Sequence, residues 1–163
     1  MDFYDRLADL PLVVEDHDRR RHERSPRPDF TRATTELRLS GLGATGAGED
    51  VTYETGDHDA FAAADDDGAF DDAFVGEWTF GGFSEHLDDV ELWPEPPERE
   101  TSRDYRRWAV ESAALDLALR QADTDLADAL GRERRPLRFV VSTRLPEDDA
   151  GVPSRARVEA LLS

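Results

Sequence analysis

The chain has 163 residues, enough for one domain, or for one and a fragment. It carries 38 acidic and 20 basic residues, a formal net charge of −18, and every basic residue is arginine. That charge repels nucleic-acid phosphates, no apolar run approaches the ~18–20 residues of a membrane span, and zero Cys excludes disulfides, thiolate nucleophiles and Cys-zinc sites.

In chain order, Met1-Asp2-Phe3-Tyr4-Asp5 has neither a basic nor an apolar region, so no signal peptide is predicted and the cytoplasm is the simplest location. Residues 2–9 predict a short helical turn. Pro11-Leu12-Val13-Val14 opens a first strand that continues through Glu23 as a polar, Arg-rich edge. Ser25-Pro26-Arg27-Pro28 is a loop, because two prolines fix φ and remove two donors. Residues 31–40 alternate: Ala33, Thr35, Leu37 and Leu39 share one face, and Thr34, Glu36, Arg38 and Ser40 the other. A period of two means a sheet with one buried face. Glycines at 41, 43, 46 and 48 fit a hairpin turn leading into a strand that ends at Tyr53. The expectation is a three-stranded antiparallel meander, 11–23 included.

Residues 58–65 predict a short helix, 64–74 an acidic loop, and 74–90 short helices and turns covering an apolar surface. Trp93-Pro94-Glu95-Pro96-Pro97 is a rigid connector. Ser102 is placed as the N-cap of the longest helix, whose apolar face runs from Tyr105 and Trp108 through Leu119. Residues 125–130 predict a second helix closed by Gly131. Leu137-Arg138-Phe139-Val140-Val141-Ser142 reads as a strand buried on both faces, the habit of parallel sheets. Ser154 opens a last helix carrying Val158, Ala160, Leu161 and Leu162.

With 23 Asp, 15 Glu and no Lys, the composition resembles the acidic proteins of salt-in halophiles. Self-repulsion at this charge is screened at molar salt, where the Debye length is ~3 Å. An acidic decoy or interaction protein is the rival reading. It would concentrate its acids in a block, whereas the dense runs here are only Asp65-Asp66-Asp67 and Asp71-Asp72.

The order of pieces carries a resemblance. A meander ends in Gly46-Ala47-Gly48-Glu49. A helical region follows, with Ala109-Val110-Glu111-Ser112-Ala113-Ala114-Leu115-Asp116-Leu117-Ala118-Leu119, then Leu126-Ala127-Asp128-Ala129-Leu130-Gly131 and a strand. This resembles the N-terminal capping domain of the enolase superfamily, in its mandelate racemase/muconate lactonising group, over residues 10–145. The resemblance implies an α+β fold: a three-stranded antiparallel meander, then a helical bundle, then one strand and one helix of an incomplete (β/α) barrel. The implied domains are 1–135, the cap, and 136–163, the start of the barrel.

In that family the barrel carries the catalytic bases and three acidic ligands for an essential Mg²⁺. Those strands are absent here, and no lysine can form a Lys-x-Lys base pair, so no catalytic residue is transferred. Mg²⁺ is expected for the complete enzyme and no cofactor for this chain. The family's capping loops shape the substrate pocket. They map to Arg19–Phe30 and Thr52–His58, which gives Arg19, Arg20, Arg21, Phe30, Thr52, Tyr53 and His58 as specificity residues by resemblance. The implied partners are a missing barrel domain or complementary chain, and a small carboxylate substrate for the full enzyme.

Other constellations read more plainly. His17, His22, His58 and His86 have no metal-ligand spacing. Asp65-Asp66-Asp67-Gly68 fails as an EF-hand, since Ala63 and Phe74 fall where ligands are required. Gly41–Gly48 lacks the Gly-Lys-Ser/Thr ending of a phosphate loop. Arg19-Arg20-Arg21 and Arg132/Arg134/Arg135 offset nearby acids, or, for the first, face an anionic substrate. Trp78, Phe80, Phe83 and Trp108 read as core or as the surface meeting a barrel. A lone parallel strand at 137–142 leaves ladder groups unpaired, so the chain alone should be inert and able to self-associate. The competing readings are a stand-alone acidic protein-binding module and a small acidic metal-binding protein.

Overall fold

A computed structural model describes residues 3–27 and 30–140, together with positions 155 and 159. The fold is α+β. The elements are α1 (Phe3–Leu7), β1 (Pro11–Val14), β2 (Asp16–Arg27), β3 (Phe30–Gly41), β4 (Ala44–Asp50), α2 (Thr55–Asp66), β5 (Gly76–Thr79), α3 (Phe80–His86), α4 (Ser102–Gln121) and α5 (Leu126–Ala129).

β2, β3 and β4 form an antiparallel meander in that order. The alternation of 31–40 is realised as expected: Ala33, Thr35, Leu37 and Leu39 are buried, and the residues between them are half-buried. A two-residue turn joins β3 to β4. Leu42 and Gly43 both take positive φ, 51° and 76°, the geometry whose twist matches the flanking strands. α4 lies across the buried face of β4 and β3, and α2 packs on β3.

β1 is not part of this meander. It pairs antiparallel with β5, Leu12 opposite Trp78, in a separate two-stranded sheet. The chain leaves that sheet at Glu15, whose N–H donates to the Ser40 carbonyl at 2.7 Å. Gln121, at the end of α4, works as a surrogate strand neighbour. Its Oε1 accepts from Val13 N at 2.9 Å, and its Nε2 donates to the carbonyls of Val13 and Gly41 at 2.8 and 3.1 Å. β5 also corrects the expectation of helices and turns throughout 74–90. Its last residue, Thr79, caps α3 by accepting from Gly82 N at 3.0 Å.

The core joins both sheets to the helices through Leu12, Val14, Leu37, Leu39, Phe61, Phe74, Phe83 and Leu117. Phe80 and Phe83 are buried and Trp78 partly so, but Trp108 is 56% exposed on the outer face of α4, against Tyr105. α4 begins one residue earlier than expected. Thr101 occupies the N-cap without a side-chain bond, and Ser102 is buried.

α5 starts where expected, on Asp125. Its carboxylate accepts from Ala127 N at 2.8 Å and Asp128 N at 3.2 Å. Asp125→Ala is therefore expected to cost about 1 kcal/mol, read as a lowered urea midpoint at unchanged slope.

The chain divides into two units, Met1–Glu133 and Arg134–Ser163. In the second, residues 134–140 have no regular secondary structure. Leu137, Phe139 and Val140 are 79%, 85% and 94% exposed, so the strand expected over 137–142 is not formed at 137–140. Such a strand needs neighbours on both edges and both faces, and no ladder pairs these residues among those described. Val141, Ser142 and most of the last expected helix lie outside the described residues. Arg155 and Glu159 are helical and joined at 2.9 Å, one turn apart. No helix among the described residues is long and apolar enough to cross a membrane.

The ion pairs that offset part of the charge are mostly at the surface, where each is worth ~0–1 kcal/mol. They leave the net −18 largely unopposed. The melting temperature is expected to rise steeply between about 0.1 M and molar KCl, as the Debye length contracts from ~10 to ~3 Å. Calorimetric scans across that range check it, and a flat response would remove the proposed halophilic character.

Candidate functional site

The chain concentrates its unusual chemistry at one end of the meander. There the start of β3 and the segment after β4 come together. Arg32, near the start of β3, donates through its two terminal nitrogens to the carbonyls of Thr52 and Val51, at 2.6 and 2.5 Å. Thr55 Oγ1 reaches the Thr31 carbonyl at 3.5 Å, and the hydroxyls of Ser25 and Thr31 are bonded at 3.0 Å. Tyr53 stands 48% exposed between two guanidiniums, with Arg32 at 5.1 Å and Arg99 at 5.2 Å from its ring centroid. Arg99 Nε is held by Glu54 at 2.8 Å.

A buried network fixes this segment from beneath. Asp50 Oδ1 accepts from Thr52 N at 2.9 Å and Thr52 Oγ1 at 2.6 Å. Asp50 Oδ2 accepts from Arg106 Nε at 2.9 Å. Arg106 is fully buried between the rings of Phe61 and Trp93, and its other nitrogens donate to the carbonyls of Leu92 and Asp57. Burial pushes its guanidinium below the ordinary arginine value, and the Asp50 carboxylate opposes that push. His58, 1% exposed, spends Nδ1 on Thr35 Oγ1 at 2.8 Å and Nε2 on the Thr52 carbonyl at 3.0 Å.

The seven residues expected as loop residues are placed very differently from one another. Arg19, Arg20 and Arg21 lie within β2, which corrects the loop expected over 19–30. β2 runs to Arg27, and Phe30 already opens β3. Arg19 binds Asp65 and Asp66 at the end of α2, and Arg21 binds Glu23 and Asp59, so both are spent on acids of this chain. Arg20 sits across from Glu36 on the outer face. Thr52 and His58 are buried, which leaves Tyr53 as the exposed member of the second loop. Asp65 and Asp66 belong to α2 rather than to an acidic loop. Asp65 also accepts a hydrogen bond from His17 Nε2 at 2.8 Å.

Sequence reasoning passed over Arg32, Arg99 and Arg106. Arg106 was legible in principle. Counting three, four, seven and eleven residues on gives Ala109, Val110, Ala113 and Leu117, all buried, so Arg106 shares their face. Arg32 and Arg99 carry no such signal, since one is an outward strand position and the other follows a proline-rich connector.

Residues 5–129 match the DUF8230 N-terminal domain, a domain of unknown function. The chain belongs to that family. No curated protein and no solved structure matches it. Within this DUF8230 N-terminal domain, no three His, Asp or Glu side chains among the described residues are placed to hold a metal ion. On the outer face, His22 first and Arg38 second hold the Glu36 carboxyl below its ordinary range. Its contribution to stability is thus present above the ordinary carboxylate pKa and lost as pH falls through the lowered value. Glu36→Gln is expected to flatten that part of the acid limb in urea melts run between about pH 5 and pH 3.

Proposed function

We propose that this chain is the capping domain of an enolase-superfamily enzyme, inert by itself and closing over a separate (β/α) barrel. One observation carries the reading. The start of β3 and the segment after β4 meet at the same end of the meander, bridged by Arg32 to Val51 and Thr52. The resemblance makes Thr52–His58 one wall of a substrate pocket and Arg19–Phe30, which leads directly into this start of β3, the other. Two further features support it: the outward Trp108 on α4, and the exposed Leu137, Phe139 and Val140. Within the second unit, a run of exposed apolar side chains such as 137–140 fits a segment that another body covers. The residues described here do not assemble a Mg²⁺ site. The ion would sit in the barrel, where it supplies charge stabilisation for proton abstraction α to a carboxylate.

The test is the encoding locus and its complete product. A frame encoding a barrel, in cis or as a neighbouring gene, supports the proposal when its product, together with this domain and Mg²⁺, exchanges the α-proton of a carboxylic acid with D₂O. A locus with no such frame overturns it and favours a stand-alone acidic binding module.

A further inference from the structure

We propose that the outer face of α4 is a self-complementary surface through which two copies of this chain pair antiparallel. Along α4, Tyr105, Trp108, Ser112, Leu115 and Leu119 follow one another at steps of three, four, three and four residues. That is the spacing with which one helix seats its side chains between those of another. The far side of the helix, with Arg106, Val110, Ala113 and Leu117, is already committed to the core. Trp108 stands exposed toward one end of the seam. Toward the other, Ser112, Leu115, Asp116 and Leu119 border, together with Leu126, a groove of about 480 Å³. Positions i, i+3, i+4 and i+7 of one helix are the four corners of a hole for a knob from a facing helix. An apolar cavity of ~150 Å³ accepts benzene, so this groove has room for an indole.

Knob and hole lie on one face, and the small, exposed Ser112 falls midway between Trp108 and the centre of the hole. A two-fold axis beside Ser112 therefore sets each Trp108 over the other copy's hole, both contacts forming at once, as an isologous interface requires. Charge favours the same partner. α4 carries Asp104 in its first turn and Arg120 in its last. Antiparallel pairing brings the acidic end of each helix beside the basic end of the other, the arrangement the two helix dipoles also favour. Asp104 has no ion pair among the described residues. Glu111 and Asp116, which flank the seam, are already held by Arg107 and Arg120. In a chain of net charge −18, a second copy thus meets little local repulsion on this strip. The repulsion between the whole molecules remains, and salt screens it.

On the capping reading Trp108 faces a barrel, so the dimer is the state of this chain by itself and a barrel would displace it. The test is sedimentation equilibrium of the full 18.3 kDa chain in KCl of about 0.1 M and about 2 M. A closed dimer is expected, at least ~10-fold tighter at the higher salt. Trp108→Ser removes the knob, and Ser112→Glu sets two like charges against each other at the two-fold axis. Each should weaken the dimer at least ~10-fold, with circular dichroism unchanged, because both side chains are exposed. Should one variant lose helical signal, the other decides. Val75→Ser, which removes an exposed apolar side chain outside the seam, should leave the dimer as it is. A monomer at every concentration up to about 100 μM, even in molar salt, overturns the proposal. So does a dimer equally tight in both seam variants, or one lost in Phe139→Ser but kept in Trp108→Ser. Association that continues past two copies overturns it as well, since an isologous face closes at the dimer. None of these failures touches the capping reading, which the locus and the exchange assay decide.

Discussion

Arg106→Leu is expected to destabilise the fold by about 3–5 kcal/mol, the cost of removing one partner from a buried ion pair. The side chain is 0% exposed and serves three acceptors at once: Asp50, the Leu92 carbonyl and the Asp57 carbonyl. Leucine refills part of the space between Phe61 and Trp93 but donates nothing. Asp50 then keeps a buried negative charge whose remaining hydrogen bonds among the described residues come from Thr52, with His58 Nδ1 4.0 Å away. Asp50→Asn combined with Arg106→Met removes both charges, and should recover a substantial part of the loss, because a well-packed apolar replacement of a whole pair is often near neutral. Urea denaturation of the single and double variants measures the coupling. A single variant within about 1 kcal/mol of the parent would mean that water or a neighbouring side chain takes over the bonds. The site should also feel the change. Arg106 holds Asp50, Asp50 holds Thr52, and the Thr52 carbonyl receives Arg32.

How much of this was legible in the sequence follows from the range of the forces involved. The strand over 31–40, the turn at Leu42–Gly43 and the cap at Asp125 are local, set by alternation, backbone sterics and one side-chain bond. β1 misled because its fate depends on a distant partner. Four apolar residues beside a polar strand read as that strand's beginning, until Trp78 and Gln121 are known to flank them. β2 was legible as a polar strand as far as Glu23, and what stayed hidden was electrostatic, the direction its arginines face. Arg19 and Arg21 face inward and are tolerated there only because Asp59, Asp65 and Asp66 of α2 meet them. With arginines at its buried-side positions, the strand has no apolar alternation to say which face is inward. The candidate site was half legible. Tyr53 was named through a resemblance, but the two arginines that flank it come from a strand face and a proline-rich connector, brought to it only by the tertiary fold.

Gly48→Ala is expected to be the most damaging single methyl in the molecule. A β-carbon at 48 would lie 2.0 Å from the Ala109 carbonyl oxygen and 2.9 Å from Ala113 N. At Gly46 it would lie 2.2 Å from both the Ala113 oxygen and Leu117 N. These are backbone atoms of α4, so no rotamer change makes room, and the helix must lift off β4. Overpacking a core costs about 1–3 kcal/mol when side chains can yield. Here they cannot, and about 3 kcal/mol or more is expected, a large fraction of an ordinary stability of about 5–15 kcal/mol. Ala109 and Ala113 are small for the same reason: a large residue at either would reopen the gap that the two glycines close. Helix and strand are pinned further by Asp116, whose Oδ2 accepts from Ala47 N at 3.1 Å. Gly56→Ala is the matched control, since a β-carbon there meets nothing within 4 Å and the position is helical. It should be neutral, or stabilising by up to about 1 kcal/mol. Urea melts of the two variants side by side separate the effect of the added methyl from the effect of where it points. Equal midpoints would mean that α4 does not sit on β4 at this distance.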